Sequence, residues 1–390
     1  MIILSFNIKA KKMKKITYLL IICISTLSAC KQSEKPENNN LIKVAIFDTN
    51  GDSPGCIVDA YEALRIDSDI KPGIVSAATI MSEDILNYDL LLFPGGSGKA
   101  ETIRLGELGR KRVQELISEH GISVIGICAG AYILTQTEGY PSLDLSGMQA
   151  TDIEHDHRGH GVVKFNLTEK GKEIYPELAD REISFMQYYE GPVLISVENA
   201  KYEYQSLSTM LSDVHTVKGT PSNMTNDKPF IITSKVGKGN TASFVGHPET
   251  TPGMRWMIPR MVRYLLNKEL VNYSEAVVRP EIYSDEILFT DELLEKQGSY
   301  YDNLWGTEAE KIEAINGLVD ISAWSAKKMI VGLLRDSSPE VRKVAANALV
   351  QLERTDFIHD LEVAVATETN PELKAYLSDK LQHLKSMINN

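Results

Sequence analysis

Residues 122–131 read Ile-Ser-Val-Ile-Gly-Ile-Cys-Ala-Gly-Ala, an apolar run that passes directly into the pattern G-x-C-x-G. So continuous an apolar stretch predicts a strand covered on both faces, as in a parallel sheet flanked by helices. A cysteine at the end of such a strand marks a sharp strand-to-helix turn. Cβ atoms on either side would collide there, and Gly126 and Gly130 supply the room. Upstream, Tyr88-Asp-Leu-Leu-Leu-Phe93 repeats the buried-strand pattern and closes on Pro94-Gly-Gly-Ser-Gly98. A helical pattern from Leu105 to Glu119, stopped by Gly121, joins the two. Further out, Leu41-Ile-Lys-Val-Ala-Ile-Phe47 is β-rich, turn-forming residues fill 48–55, and Ile57 to Leu64 is helical. Strand, glycine loop, helix, strand, elbow and helix predict an α/β parallel sheet with its loops gathered on one edge. Short β-prone segments follow at 161–167, 193–197, 230–234 and 242–245, and a helix over Trp256 to Asn267 closes the unit at about 270.

A free thiol is mostly protonated at neutral pH, so nucleophilic work at Cys128 requires an imidazole and a group to orient it. Gly246-His-Pro-Glu249 offers both, His247 as base and Glu249 as orienter. Two apart in an extended segment stiffened by Pro248, the two side chains would face the same way. Tyr189 and Glu190 are candidates for the pocket or for a plain strand end, and Gly95 lies in the glycine turn on the same edge as the cysteine. Cys56, after the first strand, falls on that edge as well, lining the pocket or filling a small apolar niche. His155, His157 and His160 suggest a metal cluster, but no cysteine or second histidine group completes it. A polar loop is the expected reading, with no metal and no cofactor.

The first segment bears on location. Lys9, Lys11, Lys12, Lys14 and Lys15 precede an apolar core, Tyr18 to Ile24, that ends at Leu27-Ser-Ala-Cys30. The core is too short to span a bilayer and suits a signal peptide, with Met13 as an alternative start to Met1. Leu-Ser-Ala-Cys resembles a lipobox, which implies a signal peptide over 1–29, lipidation at Cys30, and a protein anchored in the cell envelope on the periplasmic side or the cell surface. Residues 30–40 are polar and aperiodic, a flexible tether. Removing the five lysines of 1–29 takes the formal charge from −12 down by five, to −17, so nucleic acid is not an expected partner. With Cys23 in the signal core and Cys30 lipidated, Cys56 and Cys128 alone remain, too few for a disulfide framework.

Residues 271–304 carry eight acids against Arg279 and Lys296 and read as an acidic connector with one helix. From 305 to 390 the sequence repeats. Glu308 to Val319, Pro339 to Leu352 and Pro371 to Leu384 are amphipathic, about 31 to 32 residues apart, with partner helices near 323–334 and 356–367. The middle unit's D-x-x-P-x-V-R-x-x-A-x-x-A-L resembles a HEAT repeat, implying a small all-α solenoid that offers a face to a protein partner.

The motifs F-P-G-G at 93–96, G-I-C-A-G-A-Y at 126–132, R-G-H-G at 158–161, Y-Y-E-G-P at 188–192 and G-H-P-E at 246–249 resemble the biotin-protein ligase N-terminal domain family, within the class I glutamine amidotransferase-like superfamily. The resemblance covers roughly residues 41–270 and implies a flavodoxin-like parallel sheet. It also implies Cys128, His247 and Glu249 as a catalytic triad, with the amides of Gly96 and Ala129 as an oxyanion hole. Nothing resembles the ligase catalytic domain, so biotin ligation is not expected. No synthase domain is fused either, which argues against ammonia channelling. Thiol-dependent hydrolysis of an amide or peptide is the leading expectation. The alternative is a non-catalytic ligand-binding or scaffolding lipoprotein.

Overall fold

The computed structural model describes residues 41–48 and 53–389. The expected signal segment, Cys30 and the tether lie outside them. The chain opens as anticipated, with β1 (Ile42–Phe47), α1 (Pro54–Leu64), β2 (Ile70–Val75), α2 (Ala77–Met81) and β3 (Leu90–Phe93). There follow α3 (Gly98–Glu115), β4 (Ser123–Ile127) and the short helix α4 (Ala129–Leu134). Pro54 starts α1 with a preset φ and no amide to waste. The Ser97 hydroxyl caps α3 by accepting from the Ala100 amide at 3.3 Å. Side chains alternate across the strands. Val44, Ile46, Leu90 and Leu92 enter one apolar cluster, while Ala45, Phe47, Leu91 and Phe93 enter the cluster on the opposite face.

The second half of the unit contains β5 (Met148–Ala150), β6 (His160–Leu167), α5 (Glu169–Ile174), β7 (Ser184–Tyr189), β8 (Leu194–Ser196), β9 (Tyr204–Met210), β10 (Pro229–Val236), β11 (Gly239–Phe244) and α6 (Met257–Leu265). Among the described residues the main sheet has ten strands, ordered β12-β6-β9-β10-β11-β4-β3-β1-β2 with β7 on β6, where β12 is Ile287–Leu288. The part β2-β1-β3-β4-β11 is parallel. Beyond β11 the pairings are antiparallel, so the sheet is mixed rather than the parallel, flavodoxin-like one expected. The reason is chain length. Gly237 and Lys238 alone link β10 to β11, and a parallel crossover needs about a dozen residues. The segment expected as a strand at 193–197 pairs instead with β5 in a separate ribbon.

Helices form close to the expected positions near the C-terminus: α7 (Asp291–Asn303), α8 (Glu308–Asp320), α9 (Lys327–Gly332), α10 (Pro339–Gln351), α11 (Ile358–Thr367) and α12 (Pro371–Ser386). Local chemistry sets their starts. Thr307 and Glu310 make a reciprocal capping box, and Ser338-Pro339 and Asn370-Pro371 each join a cap to a first-turn proline. No distinct solenoid stands apart from the sheet, however. One apolar cluster runs from Ile42 in β1 to Met387 beyond α12, and residues 42–390 form one compact unit. Residues 271–304 do more than connect, because β12 extends the sheet beside β6 and Phe289 is buried.

Candidate functional site

Cys128 occupies the turn between β4 and α4 at φ 51° and ψ −103°, a backbone conformation that a side-chain-bearing residue adopts only when its surroundings enforce it. Its neighbours explain the glycines. A Cβ on Gly126 would lie 2.4 Å from the Gly130 carbonyl oxygen, and one on Gly130 would lie 2.1 Å from that of Phe93. The Cys128 amide donates to the Phe244 carbonyl at 2.8 Å, locking the turn to the end of β11.

That bond accounts for the distant partner. β11 runs parallel beside β4, with Phe244 level with Ile127, so both strands end on one edge and the chain leaving β11 delivers His247 beside Cys128. The His247–Glu249 geometry differs from the extended segment expected. Pro248 instead starts a single 3₁₀ turn, Pro248–Thr250, with His247 ahead of it. The turn still brings His247 Nδ1 to 2.8 Å from Glu249 Oε1, with both side chains buried. The His247 backbone amide donates to the Gln187 carbonyl at 2.7 Å, which fixes the imidazole against β7.

Burial alone would depress the His247 imidazole. The Cys128 sulfur and the Glu249 carboxylate outweigh it and push the group up to about 10. Cys128 is thus close to the ring, yet no well-formed hydrogen bond joins them. His247 Nε2 is buried without a partner, and Cys128 Sγ donates to the Tyr189 carbonyl at 3.2 Å.

The remaining candidates separate into two groups. Cys56 and Tyr189 line a cleft of about 360 Å³, and burial, followed by Asp59, Glu249 and Cys128, pushes the Cys56 thiol well up. Gly95 sits behind that wall. A Cβ there would come within 2.7 Å of His247 Cε1 and 3.3 Å of Cys56 Sγ, so the glycine permits the close approach of thiol and imidazole. Ala129 is the first residue of α4, where helix amides have no intrahelical acceptor, and Gly96 holds φ 137° in the facing turn. Glu190 does not line the cleft. At φ 52° it turns outward and meets the exposed His157 at 3.1 Å. Among the described residues no group of three or more His, Cys, Asp or Glu could hold a metal ion.

Several residues outside the expected triad shape the site. Arg158, fully buried, pairs with Asp152 and donates to the Tyr188 hydroxyl at 3.0 Å and the Gly191 carbonyl at 3.2 Å. Asp152 also accepts from Tyr132 of α4, so R-G-H-G, Y-Y-E-G-P and the elbow helix are tied into one buried network. Glu101 is buried with neither carboxylate oxygen bonded; burial and then Cys128 push its carboxyl well up, favouring the neutral acid. His160 stacks between Tyr189 and Phe289, at 4.6 and 4.5 Å, and burial lowers its pKa.

The C-terminal helices enter the site directly. The Trp324 ring lies 4.9 Å from the His247 ring, and its Nε1 donates to Asp59 of α1 at 3.0 Å. Buried Asp59 also accepts from Lys327 at 2.8 Å and from Arg354 at 2.6 Å. No local sequence signal links Asp59 to residues 265 and more positions away. Such an acid inside an apolar helix stripe is legible only as a buried charge in need of partners.

No family model matches the chain, and no curated protein matches it. Solved structures do, at low identity. A ThuA-like protein from Parabacteroides merdae aligns at TM-score 0.44 and 13% identity, over 60% of this chain and 94% of that one. The glutaminase domain of CTPS from Trypanosoma brucei, with bound acivicin, aligns at TM-score 0.40 and 13% identity, over 60% and 98%. A glutamine amidotransferase from Methylobacillus flagellatus aligns at TM-score 0.34 and 11% identity, over 62% and 86%. These are distant likenesses to proteins of the class I glutamine amidotransferase-like fold, and no activity is carried over from them.

Proposed function

We propose that the protein is an envelope lipoprotein whose Cys128 acts as the nucleophile of a thiol hydrolase or amidase, with His247 as base and Glu249 as its orienting partner. The observation that carries this reading is the strained elbow of Cys128 set beside a buried, hydrogen-bonded His247–Glu249 pair. In the reaction the thiol proton rests on His247, and the sulfur attacks a carbonyl carbon as thiolate while the C=O electron pair moves to oxygen. The amides of Gly96 and Ala129 meet that developing oxyanion. Collapse expels the amine, which leaves with the proton held by His247. Water, deprotonated by the same imidazole, then cleaves the thioester to a carboxylic acid and restores the thiol. The reading requires the Cys128 side chain to turn from the Tyr189 carbonyl toward Nε2, an adjustment common where catalytic contacts tighten on binding. We further propose lipidation at Cys30, kinship of residues 41–270 with the biotin-protein ligase N-terminal domain family, and a HEAT-like origin for helices α8–α12.

A second reading has its own support. The open Nε2 and the Sγ bond to Tyr189 describe a resting thiol, as in a pocket that binds a ligand without turning it over. The rate of Cys128 alkylation by iodoacetamide against pH separates the two. The enzyme reading expects a reactive thiolate well below the ordinary thiol range, lost in His247→Ala. Identical profiles in the variant and the wild type would leave the binding reading.

A further inference from the structure

The cleft lined by Tyr189, whose carbonyl accepts from Cys128 Sγ, is built from both halves of the chain. Cys56 and Tyr189 form one wall, while Phe289, Trp324, Lys327 and Lys328 form the other. Its charge runs against that of the protein. The chain as a whole carries −12, yet the described residues lining the cleft include two lysines and no carboxylate. The two lysines differ. Lys327 spends its charge on Asp59, both of whose oxygens it meets at 2.8 Å. Lys328 has no ion-pair partner among the described residues and stands exposed at the rim. Aromatic surface makes up much of the remainder. Tyr189 is 46% exposed, and Trp324 meets it edge-on at 6.5 Å. His160 shares the stack, and burial favours its neutral form, so it extends the flat surface without adding charge.

We propose that this cleft is a binding site for a small organic anion, its flat apolar part against Trp324 and Tyr189 and its carboxylate held by Lys328. A volume near 360 Å³ fits a small ligand rather than a chain segment. Where the thiol reading above holds, the substrate is an amide or thioester whose end remote from the scissile carbonyl is anionic; that extension rests on the reading, while the binding site does not. The second wall comes from residues 289–328, so the C-terminal part of the chain sets the specificity of a cleft whose first wall belongs to the α/β unit.

Phenylacetate and phenylacetamide share a ring and nearly a shape but differ in charge, and their binding to the full chain is measured by calorimetry. The wild type is expected to bind phenylacetate about threefold to tenfold more tightly, the range for a partly solvated ion pair. Lys328→Ala removes the preference, Lys328→Glu reverses it, and Trp324→Leu weakens both probes alike. The preference shrinks as salt rises. Equal binding of the two probes, no saturable binding of either, or a preference that survives Lys328→Glu overturns the proposal. Cys128→Ser retains the preference in every case, so an inert thiol in the alkylation experiment and a failed anion site are separate results.

Discussion

Replacing Asp59 by Asn tests how firmly the C-terminal helices are tied to the sheet. Asp59 is buried in α1 and meets Trp324, Lys327 and Arg354. Burial pushes its carboxyl up, but Arg354 and then Lys327 outweigh that and hold it down at about 2. Against an ordinary carboxylate, this corresponds to about 2 kcal/mol of stability. Removing one partner of a buried ionic cluster while leaving the others costs about 3 to 5 kcal/mol. The two cations respond differently. Burial already holds Lys327 below the usual lysine range, so it can shed its proton when Asp59 is lost, whereas Arg354 cannot. The lower end, about 3 kcal/mol, is therefore expected at pH 7 from urea unfolding followed by tryptophan fluorescence and circular dichroism. The sign with pH follows from the depressed carboxyl. Its contribution is complete above the ordinary carboxylate range and disappears as pH falls through about 2, so the two proteins converge in acid. Adding Lys327→Met to Asp59→Asn should recover part of the loss by removing a buried amine left without its carboxylate. An Asp59→Asn variant within about 0.5 kcal/mol of the wild type at pH 7 would refute the view that Asp59 ties the C-terminal helices to the sheet.

Gly130→Ala places a Cβ 2.1 Å from the rigid Phe93 carbonyl oxygen, and a loss of about 3 kcal/mol or failure to accumulate as soluble protein is expected; a thermal midpoint equal to that of the wild type would show that the elbow tolerates relaxation. Because His247 is held up to about 10, its contribution to stability is complete below the ordinary histidine range and is lost as pH rises through about 10. Glu249→Gln should move that upper limit down and slow Cys128 alkylation, both read against pH, with NMR titration of the imidazole as the direct check. Cys30→Ser should release the protein from the membrane fraction, and unchanged membrane association would exclude lipid anchoring through that residue.

The sequence alone determined the local features of this site. The apolar run into G-x-C-x-G specifies a buried strand and an elbow because nothing larger than glycine fits at 126 and 130, and that constraint acts over a few residues. The starts of α8, α10 and α12 were legible for the same reason, since caps and first-turn prolines act within one turn. Strand direction was not. The β-prone runs at 230–234 and 242–245 have one composition in either orientation, and only the two-residue link between them, seen with β11 paired to β4, decides that the sheet is mixed. The His247–Glu249 pairing could be read from their spacing, but their place beside Cys128 depends on β4 and β11 being neighbours, a long-range pairing that no local pattern encodes. The partners of Asp59, Arg158 and Trp324 were invisible for a related reason. A buried charge and a ring over the imidazole take their meaning from partners up to 295 positions away, and tertiary packing alone brings them together.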